Sequence, residues 1–348
     1  MPDVAPMAPK ERNLRTVHIF ENYIIKVCLF TEYIKTTSNR PGSPRRRRWL
    51  VAGAAVALSA LPGCQTAPRP PVVPPPPAPA PIEAPPKPVP RPPRIGLALG
   101  GGAARGFAHI GVIQVLEESG IKPDLVAGTS AGSLVAALYA SGKSGAELAA
   151  LARSMDETTF TDWAFPGRGL IRGVALERYV REHTGGLRIE QMRIPLGIVA
   201  TDLDSGQPIL FQRGDPGIAV RASSAVPAVF QPVRIGAREY VDGGLVAPVP
   251  VQFARQMGAD LVIAVDISAA PDGNATGDAM HMLLQTFSIM GRSINNFELR
   301  DADVLLRPKL AHVSGTDFTA RKHSIQAGRD AAQAHLAQLR ERIVEKTR

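Results

Sequence analysis

A chain of 348 residues has room for two average domains, or for one large α/β domain with appendages. The formal net charge of +9 suggests a nucleic-acid partner, but residues 1–94 hold 14 of the 40 Lys and Arg and only 5 of the 31 Asp and Glu, which is the whole excess. Residues 95–348 are therefore neutral, and a basic footprint for a phosphate backbone would have to lie on them; nucleic acid is excluded as a partner. Two cysteines, Cys28 and Cys64, are too few for a disulfide framework and badly spaced for a metal site.

Residues 1–40 are an extension with no assigned function, consistent with a translation start further downstream. Residues 41–64 read as an export signal: four arginines, Arg45 to Arg48, then an apolar run from Trp49 to Leu61, then Leu61-Pro62-Gly63-Cys64. The run is shorter than the roughly 20 residues a membrane-crossing helix needs. Leu-x-Gly-Cys resembles the bacterial lipobox, whose cysteine becomes the lipidated first residue of the mature protein. Cys64 is thus expected to hold the protein to a membrane, with an uncleaved anchor as the alternative and "RRRWL" faintly resembling a twin-arginine signal. Gln65 in place of Asp resembles the sorting pattern of outer-membrane lipoproteins, so the expected location is the cell envelope, on the periplasmic face of the outer membrane if the source has two membranes. Residues 65–94 contain 15 prolines and read as a semi-rigid polyproline spacer.

From Ile95 short apolar runs alternate with helical periods. Strands are expected at 95–99, 124–128, 195–203, 208–212, 239–244, 260–268 and 303–308. Helices are expected at 107–120, 131–142, 146–155, 174–184, 216–224, 250–257, 278–300 and 320–346. This alternation predicts a three-layer α/β/α domain with a mostly parallel central sheet over residues 95–312, followed by a helical segment, 313–348. The segment 280–297 is Met-rich and reads as a core helix, with an acyl-pocket wall as the alternative. No feature indicates an oligomeric state.

Two glycine-rich turns carry the chemistry. Gly128-Thr129-Ser130-Ala131-Gly132 falls between a strand and a helix, the setting of a nucleophile elbow, where small neighbours let the turn push the Ser130 hydroxyl out beside a helix N-terminus. About 30 residues earlier "GGGAARG" (100–106) follows the first strand. Its glycines would let backbone N–H groups approach an oxyanion, Gly101 and Gly102 being the favoured donors beside Gly100, with Arg105 fixing the loop or adding charge. The dinucleotide fingerprint G-x-G-x-x-G fails, because Arg105 or Ala103 stands where it needs a final glycine.

With Asp242-Gly243-Gly244, which alone would read as an ordinary turn after a strand, these motifs resemble the patatin-like phospholipases. "TDLDSG" (201–206) and "RASSAVPAVFQPV" (221–233) look like segments of the bacterial members, and the resemblance covers residues 94–310. The plant form opens its loop with Asp and ends it with Gly before x-Arg-Gly; Gly100 and Ala103 stand there in this chain. The resemblance implies a Ser–Asp dyad, with Ser130 as nucleophile and Asp242 as proton acceptor without a histidine, acting on phospholipid or lysophospholipid esters, with no cofactor and no metal. Two other readings remain open: a non-catalytic envelope binding platform, and a Ser–His–Asp carboxylesterase built from Ser130, Asp266 and one of His281, His312 or His323. His109 reads as packing its own helix, and Asp202 and Asp204 as turn residues. Phe160, Trp163 and Phe165 lie in a loop read as ordinary packing, or as a lip over an acyl site.

Overall fold

The structure, a computed structural model, describes residues 90–155, 160, 162–163, 168–268 and 277–348. The segment expected to be an export signal, Cys64 and the lipidation expected there, most of the proline-rich segment, and Phe165 lie outside the described residues.

The described chain opens with β1 (Ile95–Leu99), whose five residues are all buried. A run with no polar alternation is what a strand covered on both faces requires. The elements then follow as α1 (Phe107–Glu118), β2 (Leu125–Thr129), α2 (Ala131–Ala140), α3 (Gly145–Ser154), β3 (Gly169–Ile171), α4 (Val174–His183), β4 (Leu196–Asp202), β5 (Pro208–Phe211), α5 (Pro216–Ser223), β6 (Ala228–Phe230), β7 (Val233–Ile235), β8 (Arg238–Asp242), α6 (Val251–Gln256), β9 (Leu261–Val265), α7 (Ala279–Glu298), β10 (Val304–Leu306), α8 (Arg321–Ala334) and α9 (Leu336–Glu345).

The main sheet runs β10-β9-β1-β2-β4-β8-β7, with β5 also on β4. The five strands from β10 to β4 are mutually parallel, and β5, β8 and β7 join antiparallel. Alternate residues of β1 serve two cores. Leu97 and Leu99 pack with α1, α2 and α8 on one face, and Ala98 packs with Val251 and Ala254 of α6 on the other. This is the three-layer α/β/α arrangement, with the larger core under α1, α2 and α8 and the smaller one under α6.

Register on β4 places the site. β2 pairs with Leu196 to Val199 and β8 with Ala200 to Asp202, while β5 spans Ile198 to Thr201. Since β5 overlaps both partners, it holds one edge of β4, and β2 and β8 share the other. Thr129 therefore lies opposite Val199 and Asp242 opposite Ala200, so the end of β2 meets the end of β8 along one strand edge.

Three short strands, β3, β6 and β7, were not expected; each has three residues, too few to show a period. The last helix is broken where one continuous helix was expected. His335 Nδ1 bonds the Ala331 carbonyl at 2.8 Å, the acceptor its own amide would use in an unbroken helix, and that amide turns to Ala332 instead. A larger correction concerns α7. It is not a core helix: among its described residues only Asn295 is buried, and Met282, Ile289, Met290 and Phe297 are exposed.

The C-terminal helices belong to the same compact unit as the sheet. α8 lies on α1 with backbones touching, because a β-carbon at Gly111 would collide with the Ile325 carbonyl and one at Gly328 with the Ala108 carbonyl. Gly328→Ala is accordingly expected to destabilise the fold by on the order of 3 kcal/mol, read as a lower urea midpoint. An unchanged midpoint would mean that these helices do not meet in this way.

Candidate active site

Ser130 occupies the turn from β2 into α2 with φ 52° and ψ −125°, a strained backbone for a residue with a side chain. The flanking glycines make that turn possible. A β-carbon at Gly128 would stand 2.5 Å from the Gly132 carbonyl oxygen, and one at Gly132 would collide with the Leu99 carbonyl of β1. The turn is tied down at its atoms. The Ser130 amide donates to Ser223 Oγ at 2.8 Å, and that hydroxyl donates to the Val199 carbonyl at 2.5 Å. Thr129 Oγ1 donates to the Ala247 carbonyl at 2.9 Å, and Ser133 Oγ to the Ser130 carbonyl at 2.6 Å. Ser223, fully buried at the end of α5, is a positioning residue that sequence reading did not pick out.

Next along the same β4 edge stands Asp242, the last residue of β8 and 7% exposed. Its Oδ1 accepts the Gly244 amide at 2.6 Å, and its main-chain carbonyl accepts Thr201 Oγ1 at 2.8 Å. Oδ2 is buried with no hydrogen-bond partner among the described residues. Burial pushes the carboxyl up to about 6, against the pull of the neighbouring Ser130 hydroxyl and the Gly244 amide. The hydroxyl is thus near the carboxylate without completing a well-formed bond, as resting active sites often show. Gly243 is needed for this approach, since a β-carbon there would collide with the Val199 carbonyl; one at Gly244 would stand 2.9 Å from Asp242 Oδ1.

The glycine loop faces the serine from the other side. A β-carbon at Gly101 would stand 3.1 Å from Ser130 Cβ. Accounting for the amides corrects the expected donors. Gly100 N–H donates to Val265 O (3.0 Å) and Gly101 N–H to Pro248 O (2.9 Å), so neither is available to an oxyanion. Ala104 N–H is taken by Gly315 O (2.9 Å) and Arg105 N–H by Gly102 O (3.2 Å). Among the described residues the amides of Gly102 and Ala103 are left without an acceptor, and Ala103, exposed with φ 50°, is the residue the sequence reading overlooked.

Two side chains hold that loop. Arg105 Nε donates to Gly102 O at 3.2 Å, its guanidinium lowered by burial and partly restored by Asp266. His109, fully buried in α1, places Nε2 2.8 Å from Gly100 O. A carbonyl can only accept, so Nε2 carries the proton; Nδ1 is buried without a partner among the described residues. Burial lowers this imidazole to about 4, despite the Gly100 carbonyl and Asp266, so it is a neutral strut beneath the loop.

The Ser–His–Asp alternative has no geometric support among the described residues. Asp266 is engaged by Ser268 through its amide (3.1 Å) and hydroxyl (2.6 Å), and by Arg307 Nε (3.1 Å). His281 pairs with Asp278 at the start of α7, and His312 and His323 are exposed. Asp202 performs the turn role expected of it, accepting Asp204 N–H and Ser205 N–H. Phe160 packs edge-on against Tyr179 while Trp163 is exposed. Among the described residues no cluster of metal-ligating side chains occurs.

Residues 97–255 match the family model described as patatin-like phospholipase. An uncharacterized NTE family protein of Mycobacterium tuberculosis is 38% identical over 204 residues, which are 58% of this chain and 56% of that protein. A second from the same organism is 31% identical over 272 residues, 70% of this chain and 46% of that protein. Patatin-like phospholipase domain-containing protein 6 of Mus musculus is 33% identical over 196 residues, 53% of this chain and 14% of that protein. The chain thus spans about half the length of the mycobacterial relatives. VipD from Legionella pneumophila shares the fold, with a TM-score of 0.50 at 15% identity over 71% of this chain and 67% of that one. The chain belongs to the patatin-like phospholipase family.

Two outcomes follow from this geometry. Ser223→Ala removes the hydroxyl that holds the Ser130 amide, and is expected to lower kcat for ester hydrolysis roughly ten- to hundred-fold with KM little changed; an unchanged kcat would show that the elbow holds itself. Asp242 is raised from 3.8 to about 6 on folding, so the native state binds more protons than the unfolded chain between these values, and stability falls as pH rises through that window. Asp242→Asn should therefore be more stable than the parent at pH 7, by up to about 3 kcal/mol, with the gap closing below pH 4 in denaturant titrations.

Proposed function

We propose that the protein is a serine lipid acyl hydrolase of the phospholipase A or lysophospholipase type, working through a Ser130–Asp242 dyad. The observation that carries this reading is the buried Asp242 carboxylate beside the Ser130 hydroxyl, its Oδ2 without a hydrogen-bond partner among the described residues. As Ser130 Oγ attacks the acyl carbonyl carbon, Asp242 Oδ2 takes its proton, and the carbonyl oxygen becomes an oxyanion accepting the Gly102 and Ala103 amides. Collapse breaks the ester C–O bond, and the leaving alkoxide recovers the proton from Asp242. Asp242 then takes a proton from water, whose oxygen attacks the acyl-enzyme; the tetrahedral intermediate collapses, Ser130 regains its proton and the fatty acid leaves. Lipidation of Cys64, holding the enzyme at the envelope, belongs to the same proposal.

A carboxylate is a weak base at neutral pH; desolvation moves Asp242 towards the working range while leaving it mostly ionised at pH 7. The test is acyl release from mixed phospholipid vesicles by the parent chain, Ser130→Ala and Asp242→Asn. Release is expected from the parent alone, with kcat/KM rising through pH about 6 because the ionised carboxylate is the active form. A parent chain inactive on phospholipid and on short esters alike would favour the binding platform.

A further inference from the structure

Helix α7 lies against the catalytic loops and turns an apolar face to the solvent. Its inner side rests at Gly291, where a β-carbon would stand 3.5 Å from Pro248 Cγ and 4.0 Å from the Gly244 carbonyl oxygen. These are the two loops the site depends on: the Pro248 carbonyl holds the Gly101 amide, and the Gly244 amide holds Asp242. At about 100° per residue, Met282, Thr286, Ile289, Met290, Ser293 and Phe297 form one stripe about 100° wide. All six are exposed, and the opposite side, with Leu284, Phe287, Gly291 and Asn295, is the one that packs. The orientation inverts that of an ordinary surface helix: Met282 is 57% exposed, Ile289 54%, Met290 49% and Phe297 64%.

We infer that this stripe is a docking surface for a phospholipid bilayer, which seats the Ser130–Asp242 site against its substrate. The inference rests on the acyl-hydrolase reading above and identifies how that site meets a substrate that does not leave its membrane. Charge favours a lipid surface of anionic headgroups. Between Asp278 and Glu298 the helix contains no acidic residue, and its one full cation there is Arg292, exposed beside the stripe. At the C-terminal end Arg300 holds its guanidinium 5.0 Å over the Phe297 ring, with Asp301 exposed next to it, so Arg292 is the cation that counts toward the headgroups. Asp278 is occupied by His281, and Glu298 is half-buried. Methionines and one aromatic on a flexible apolar face, bordered by arginines, match an interfacial helix; no described helix is long and apolar enough to cross a membrane.

The test uses the full chain with Cys28→Ser and Cys64→Ser, which removes lipidation and leaves one thiol when Met290→Cys is added for an environment-sensitive nitrobenzoxadiazole label. Adding phosphatidylcholine–phosphatidylglycerol vesicles is expected to brighten and blue-shift the label. In the same background, Met282→Ser with Ile289→Ser and Met290→Ser is expected to reduce hydrolysis of vesicle phospholipid about tenfold or more. Hydrolysis of a water-soluble short-chain ester should be unchanged, since none of these side chains touches the dyad. A label indifferent to vesicles, an equal loss on both substrates, or a signal that follows protein concentration without lipid, as a second copy on the stripe would produce, would each overturn the inference. A parent chain that hydrolyses neither substrate would instead sink the hydrolase reading, and the label would still report on docking.

Discussion

Strand β4 is the template on which the candidate site depends. One edge of it binds the last residues of β2 through Val199 and the last residues of β8 from Ala200 onward, so two strands that enter from opposite directions end face to face. Ser130 follows one of those ends and Asp242 terminates the other. The same strand supplies the Val199 carbonyl, which receives Ser223 Oγ and leaves no room for a side chain at Gly243. Thr201 completes the hold by bonding the Asp242 main chain. A one-residue slip would reverse the facing of every side chain on that edge, so register here is also catalytic alignment.

On this template the protein keeps an uncompensated carboxylate in a dry place. Asp202, only 40 residues away in sequence, shows the opposite treatment: with Arg238 and Ser205 as partners its carboxyl falls to about 2. Among the described residues Asp242 receives one amide and no cation, and burial drives it the other way. That contrast separates a carboxylate that organises a turn from one equipped to accept a proton. The price is stability at neutral pH, which the surrounding close-packed strands and helices sustain. His109 follows the same logic beneath the glycine loop, a neutral imidazole giving its one proton to the Gly100 carbonyl and leaving its other nitrogen without a partner among the described residues.

The layout of strands and helices, the elbow, the glycine loop and the Asp-Gly-Gly turn were all legible because each is enforced by local sterics or by a period that neighbouring residues display. What was hidden depends on partners far along the chain. Ser223 lies 93 residues from the amide it holds. Which loop amides are free depends on the carbonyls of Val265, Pro248 and Gly315, none of which the loop's own sequence mentions, and among the described residues Gly102 and Ala103, rather than Gly101 and Gly102, are left without an acceptor. His109 was readable as a buried helix residue but not as a strut for Gly100. Composition misled at α7, where apolar content suggested a core and the stripe instead faces outward.

The central claim is that Ser130 is activated by Asp242 and by no histidine. It is tested most directly by treating the protein with a fluorophosphonate and mapping the adduct by mass spectrometry, in the parent chain and in Asp242→Asn across a pH series. The account predicts an adduct on Ser130, forming faster as pH rises through about 6 and all but lost in Asp242→Asn. An adduct on another residue, or one that forms on Ser130 at the parental rate without the carboxylate, would contradict it.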